Sequence, residues 1–104
     1  MLYPPAPEHI GERGLTTRPD GSRNHFTITD EFHVAQSDRP GKVIYLQRIK
    51  FDNGRKQLRL GYYIIGKKPA MRGRWAWGQY APFVPVREFK KVIQTATKKG
   101  WLKS

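Results

Sequence analysis

The run Lys42–Lys67, KVIYLQRIKF-DNG-RKQLRLGYYIIGK, decides the fold. In its first half Val43, Tyr45, Ile49 and Phe51 fall on one side of an extended chain. Ile44, Leu46, Arg48 and Lys50 fall on the other, which is the two-residue period of a β-strand. Asp52-Asn53-Gly54 follows, and Asn-Gly suits the positive φ angles of the tight primed hairpin turns. The returning run, Arg55 to Lys67, sets Leu58, Leu60, Tyr62 and Ile64 against Gln57, Arg59, Tyr63 and Ile65. A central β-hairpin is predicted.

Upstream of the hairpin, His25–Ala35 (HFTITDEFHVA) reads as a strand with Phe26, Ile28, Phe32 and Val34 on one face. His25, Thr27, Thr29, Glu31 and His33 take the other face. Asp30 interrupts the apolar series, so a bulge or short turn is expected around Thr29–Glu31. Ser37-Asp38-Arg39-Pro40-Gly41 is a turn signal. Residues 1–24 hold Pro4, Pro5, Pro7 and Pro19 and no apolar periodicity, and they are expected to form a flexible or disordered arm.

Downstream, Lys68–Gly73 is a connection and Arg74–Tyr80 (RWAWGQY) a fourth strand. Pro85 then suits the first position of an amphipathic helix over Val86–Lys99. The expected apolar stripe is Val86, Phe89, Val92, Ile93 and Ala96, opposite Arg87, Lys90, Lys91, Gln94 and Lys98. No side chain suited to cap the helix precedes Pro85. Gly100 fits the left-handed residue that ends a helix, with Trp101 folding back on it. The predicted class is α+β. A four-stranded antiparallel sheet with one C-terminal helix on one face (ββββα) occupies residues 25–104, behind the arm of residues 1–24.

The chain of 104 residues carries 20 Lys and Arg against 8 Asp and Glu. The excess is uneven. Residues 1–41 have a net charge of −2, whereas residues 42–104 have sixteen basic and two acidic side chains, a net of +14. Self-repulsion of that size is offset by a polyanion, and nucleic acid is the partner it predicts. Cysteine is absent, so disulfides, thiolate metal sites and cysteine nucleophiles are excluded. No apolar run approaches the ~20 residues that span a bilayer. The opening MLYPPAPEHIGERG has no basic start followed by an apolar stretch. These features predict an intracellular, cytoplasmic protein with no membrane partner, and no cofactor is implied.

Within the basic half, KKPAMRGRWAW joins Lys67, Lys68, Arg72 and Arg74 to Trp75 and Trp77. Lysine and arginine neutralise phosphates, and aromatic faces stack bases at ~1–3 kcal/mol each. Two readings stand for the tryptophan pair. Either Trp75 and Trp77, with Tyr63, are stacking rings, or they are core under the helix and Tyr62 or Tyr63 with Tyr80 is exposed instead. Arg48, Lys50, Arg55, Lys56 and Arg59 cluster at the tip and outer face of the hairpin, where a protruding basic ribbon tracks a backbone or enters a groove. Catalysis has little to stand on. His25, Glu31 and His33 share a predicted face, but spacings of six and two spread them over more than about 20 Å.

By element order, KVIYLQRIKF, DNGRKQLRLGYYIIGKK and PVREFKKVIQTA together resemble the positive-cofactor-four coactivator family and, more distantly, the Whirly proteins. That resemblance implies a homo-oligomeric binder of single-stranded DNA. Plant ethylene-response factors, which read duplex DNA, share the same kind of order. The function expected is a non-enzymatic module that binds single-stranded DNA or RNA in preference to duplex. The alternatives are an interaction protein docking an acidic partner, or a small nuclease built on His25, Glu31 or His33. One-sided cover of the sheet by the helix also predicts a homodimer through the open sheet face or the helix.

Overall fold

The computed structural model describes residues 4–66, 72–78 and 81–103. Five strands and a helix follow one another: β1 (Arg13–Thr17), β2 (Arg23–Ala35), β3 (Lys42–Phe51), β4 (Lys56–Ile65), β5 (Trp75–Trp77) and α1 (Val86–Lys98). The strands form a single antiparallel sheet in chain order. The fold is therefore α+β as predicted, with one strand more than expected. No described helix is long and apolar enough to cross a membrane.

The extra strand comes from the predicted arm. Arg13 to Thr17 pair with Thr27 to Arg23, and Pro19-Asp20-Gly21 makes the turn between them. Gly21 takes a positive φ of 86°, and Asp20 accepts hydrogen bonds from the Ser22 amide and hydroxyl. RGLTT hid this strand because Leu15 is its only large apolar residue. Its packing residue is a glycine: Gly14 lies under the Phe26 ring, where a Cβ would collide.

The bulge expected near Thr29 is present, and it reverses the face assignment of β2. Ile28 pairs with Ile49 and Asp30 with Arg48, leaving Thr29 as the extra residue. Its hydroxyl donates to the Arg48 carbonyl at 3.3 Å. An extra residue switches every later side chain to the opposite face. Phe26 and Ile28 thus pack with Ile49 and Phe51 on one side, while Phe32 and Val34 join Ile44 and Leu46 on the other. The single apolar face predicted for β2 is in fact two half-faces, each feeding its own cluster. His25 is also separated from Glu31 and His33.

The hairpin between β3 and β4 is as predicted, but its turn is not. Asn53 keeps a negative φ, and only Gly54 is left-handed, at φ 92°. The Phe51 amide donates to the Arg55 carbonyl and the Gly54 amide to the Phe51 carbonyl. Three residues therefore span the turn rather than a primed Asn-Gly pair. Asn53 contributes its side chain instead, accepting from the Arg55 amide at 3.0 Å.

Helix α1 lies on the face bearing Ile44 and Leu46, here called the helix face. Pro85 is the residue before its first turn, with no side-chain cap. At its other end the Trp101 amide donates to Ala96 O and the Gly100 amide to Thr97 O, with Gly100 at φ 74°. This paired closure folds Trp101 into the core beside Val92 and Ala96. The inward stripe is Glu88, Val92 and Ala96, whereas Val86, Phe89 and Ile93 are exposed. The predicted stripe is rotated because Glu88 reaches the β2–β3 turn, accepting from the Ser37 hydroxyl at 2.7 Å and amide at 3.0 Å. A buried Lys42 holds the chain before the helix, donating from Nζ to the Phe83 carbonyl and lying 4.9 Å from the Tyr62 ring centre.

The two Ser37 hydrogen bonds hold the Glu88 carboxyl below its ordinary range. Its folded form binds fewer protons than the unfolded chain, so its contribution is present above the unfolded carboxylate range. That contribution is lost as pH falls through the depressed folded value. Glu88→Gln should therefore lower the melting temperature at pH 7, with the gap to wild type closing as pH falls toward 3. Parallel thermal melts of the two proteins at each pH check this. A constant gap would show that the carboxylate's charge is not what Ser37 holds.

Candidate nucleic-acid interface

The basic side chains of the hairpin divide between the two faces of the sheet. Even-numbered β3 residues point to the helix face, which brings Arg48 and Lys50 beside Lys56 of β4. Where α1 ends, the far half of this face stays open. There a groove of about 530 Å³ is lined by Arg48, Lys50, Lys56, Leu58, Trp101 and Lys103, with Asp30 the only carboxylate in it. The Arg48 guanidinium lies 5.5 Å from the centre of the Trp101 ring, which fixes its position. Among the described residues, none of these cations forms an ion pair, and Arg13 is the only Lys or Arg that does, with Asp52 at 2.8 Å.

The opposite face carries the ring residues predicted to stack bases. Tyr63, Trp75 and Trp77 lie on it with Tyr45 and Arg59, by the pairing Tyr63↔Trp77 and Ile65↔Trp75. Trp77 lies over Gly61, where a Cβ would overlap its ring. The Trp77 and Tyr63 rings meet edge to face at 5.0 Å. Arg59 spans the gap between two rings, 4.5 Å from the centre of Trp77 and 5.0 Å from that of Phe26. Its Nε–H donates to Gln47 Oε1, and Gln47 Nε2–H donates to Glu31 Oε1, both at 2.9 Å. Burial pushes the Arg59 guanidinium below its ordinary value. Arg59 is a structural cation held within the face.

Residues 4–12 cross this face as a strap. Trp75 Nε1–H donates to the Pro4 carbonyl at 3.0 Å, and the Tyr45 hydroxyl donates to the Pro7 carbonyl at 2.7 Å. The His9 ring stacks on Tyr63 at 4.6 Å and 10° between planes. Burial raises both the Tyr45 and Tyr63 hydroxyls above their ordinary values, so both rings stay neutral. The open sheet face, one of the two surfaces predicted to carry a homodimer, is therefore covered by the chain's own N-terminal segment.

The sequence placed Arg48, Lys50, Arg55, Lys56, Arg59, Tyr63, Lys67, Lys68, Arg72, Arg74, Trp75 and Trp77 in one surface. The structure brings together Arg48, Lys50 and Lys56 on the helix face, and Arg59, Tyr63, Trp75 and Trp77 on the strap face. Arg55 sits at the hairpin turn, in a cleft of about 250 Å³ that also includes Arg18. Arg72 and Arg74 are exposed ahead of β5. Lys67, Lys68 and Tyr80 lie outside the described residues. Lys103 and Trp101 were missed, although Gly100 carried the signal: a left-handed residue there turns the tail back toward the sheet.

Comparison with known proteins finds no matching family model, no matching curated protein and no matching solved structure.

The close seat of Trp77 over Gly61 gives a direct check on the aromatic face. Gly61→Val must displace the Trp77 ring and should cost about 1–3 kcal/mol, as overpacking of a filled site does. Denaturant unfolding measures the loss. Near-neutral stability would mean that Trp77 is not packed on β4.

Proposed function

We propose that this chain is a non-enzymatic nucleic-acid-binding module that holds single-stranded DNA or RNA by its sugar–phosphate backbone in the groove on the helix face. The observation that carries the reading is the convergence of Arg48, Lys50, Lys56 and Lys103 on one groove without an ion-pair partner among the described residues. Sixteen of the twenty Lys and Arg lie in residues 42–104, so the surrounding field has the same sign. A strand of phosphates releases counterions on entering such a site, which makes binding strong at low salt and steeply salt-dependent.

Two features favour a single strand read without regard to sequence. The groove has the volume of a ligand cleft, a class that runs from about 300 to 1,000 Å³, rather than a broad concave duplex seat. Its one ring, Trp101, is 8% exposed and lies against Arg48, so it offers no open face to a base. Phosphate contacts then dominate, and they position a strand without specifying its sequence. Tyr63 and Trp77 then serve the fold of the opposite face.

A second reading rests on α1 and the residues before it, where Val86 is 71% exposed, Phe89 and Ile93 are exposed, and Phe83, ahead of the helix, is 89% exposed. An apolar row flanked by Arg87, Lys90 and Lys91 fits an acidic protein partner. Phe89→Asp would abolish that docking and leave oligonucleotide affinity unaltered.

Fluorescence titration with a single-stranded oligonucleotide over a range of salt tests the groove. The double variant Lys50→Glu/Lys56→Glu should lose at least about ten-fold in affinity at low salt. Its log–log salt slope should fall by about 1.4, at roughly 0.7 per lost single-strand phosphate contact. An unchanged slope would place the phosphates elsewhere, and no binding by wild type would remove the reading.

A further inference from the structure

The strap is held as a ligand is held. Between described residues, no backbone–backbone hydrogen bond involves residues 4–8; the first such contacts are at His9–Glu12, where the Glu12 amide donates to the His9 carbonyl and the Gly11 amide to the Ile28 carbonyl. Residues 4–9 are gripped instead by side chains of four strands: Trp75 on β5, Tyr63 on β4, Tyr45 on β3 and Glu31 on β2. The segment is Pro4-Pro5-Ala6-Pro7-Glu8-His9, and three of its first four residues have φ fixed near −65°. That favours the polyproline II helix, with three residues per turn, so carbonyls three apart point the same way. The two carbonyls met by donors are those of Pro4 and Pro7, three apart, and the donors are a Trp N–H and a Tyr O–H.

His9 fixes the register. Its ring lies flat on Tyr63 and edge-on to Tyr45 at 5.5 Å. Its amide donates to Glu31 Oε2 at 2.8 Å, and its Nδ1 lies 3.2 Å from Oε1. The receiving carboxylate is not positioned by the strap alone. Gln47, fully buried, donates to Glu31 and is itself oriented by Arg59. If the segment leaves, Glu31 keeps the Gln47 donor, itself held by Arg59. Gly11, exposed and left-handed at φ 92°, marks the point where the segment leaves the strap face and joins the sheet edge at Ile28.

We propose that the strap face is a recognition groove for proline-rich segments, in which residues 4–9 are the resident occupant. The partner it fits is a protein with an extended Pro-Pro-x-Pro segment followed by an acidic residue and a histidine, entering by exchange with the strap. Aromatic-lined grooves take such segments because the polyproline helix loses little entropy on docking. The tethered strap competes at a millimolar effective concentration, so an outside segment binds weakly until the strap is loosened. This inference is independent of the nucleic-acid groove, which lies on the other face of the sheet.

The test uses the full chain and a fluorescein-labelled peptide of residues 2–12, LYPPAPEHIGE. The His9→Ala chain, which loses its own ring anchor, should bind the peptide at least about ten-fold more tightly than wild type, the weight of a lost stack and one side-chain hydrogen bond. Adding Glu31→Gln to that chain, or replacing both Pro4 and Pro7 by Ala in the peptide, should abolish the gain. A folded His9→Ala chain that binds no better than wild type would overturn the proposal. Isotope-labelled wild type covers the case in which His9→Ala does not fold. Unlabelled peptide in excess of the tethered concentration should move the Ala6, Glu8 and His9 amide signals to those of a free segment. Signals that stay fixed would equally overturn it.

Discussion

Glu31 carries a carboxylate at the centre of the strap face, with only 4% of its side chain exposed. A charge in that position is costly unless donors surround it, and removing a donor from a buried charged group costs more than the bond itself is worth. The surrounding structure supplies those donors from two directions. His9 approaches from the strap and Gln47 from β3, and Arg59 on β4 orients Gln47 from behind. Arg59 in turn fills the space between Phe26 and Trp77. Folding the strap down, packing the tryptophan of β5 and seating Arg59 are therefore parts of one arrangement around one carboxylate.

Glu31 faces this way because of the Thr29 bulge. Without the extra residue, Glu31 would point with Asp30's neighbours to the helix face, and Phe32 and Val34 would leave the core beneath α1. The bulge lets one thirteen-residue strand serve two clusters on opposite sides of the sheet. It also sorts the chemistry. Acid–base and aromatic groups meet on the strap face, while Arg48, Lys50 and Lys56 share the helix face with Lys103.

The central hairpin, the helix and its closure at Gly100–Trp101 were legible in the sequence because each has a local cause: period two, period 3.6 and a left-handed glycine. What was illegible depends on partners distant in sequence. Strand β1 contributes a glycine under Phe26, a position that has no hydrophobic signal. The helix stripe rotates toward Glu88, since a polar residue buried against Ser37 outweighs the exposed Phe89 and Ile93. The strap reads as an arm because proline removes both periodicity and amides, and its four anchoring side chains lie 22 to 71 residues away. For the candidate site, the sequence found the cations and the rings but joined them. Their separation follows from the faces that Arg48 and Arg59 take on neighbouring strands, which is a matter of register.

On the proposed reading, the basic groove takes the polyanion while the aromatic face holds the strap. Amide and side-chain NMR shifts of the wild-type chain on adding a short single-stranded oligonucleotide at moderate salt test that division directly. The predicted result is a set of shifts confined to Arg48, Lys50, Lys56 and Lys103, with His9, Tyr63 and Trp77 unmoved. Shifts centred on Tyr63 and Trp77, with the groove silent, would contradict it and transfer nucleic-acid binding to the opposite face.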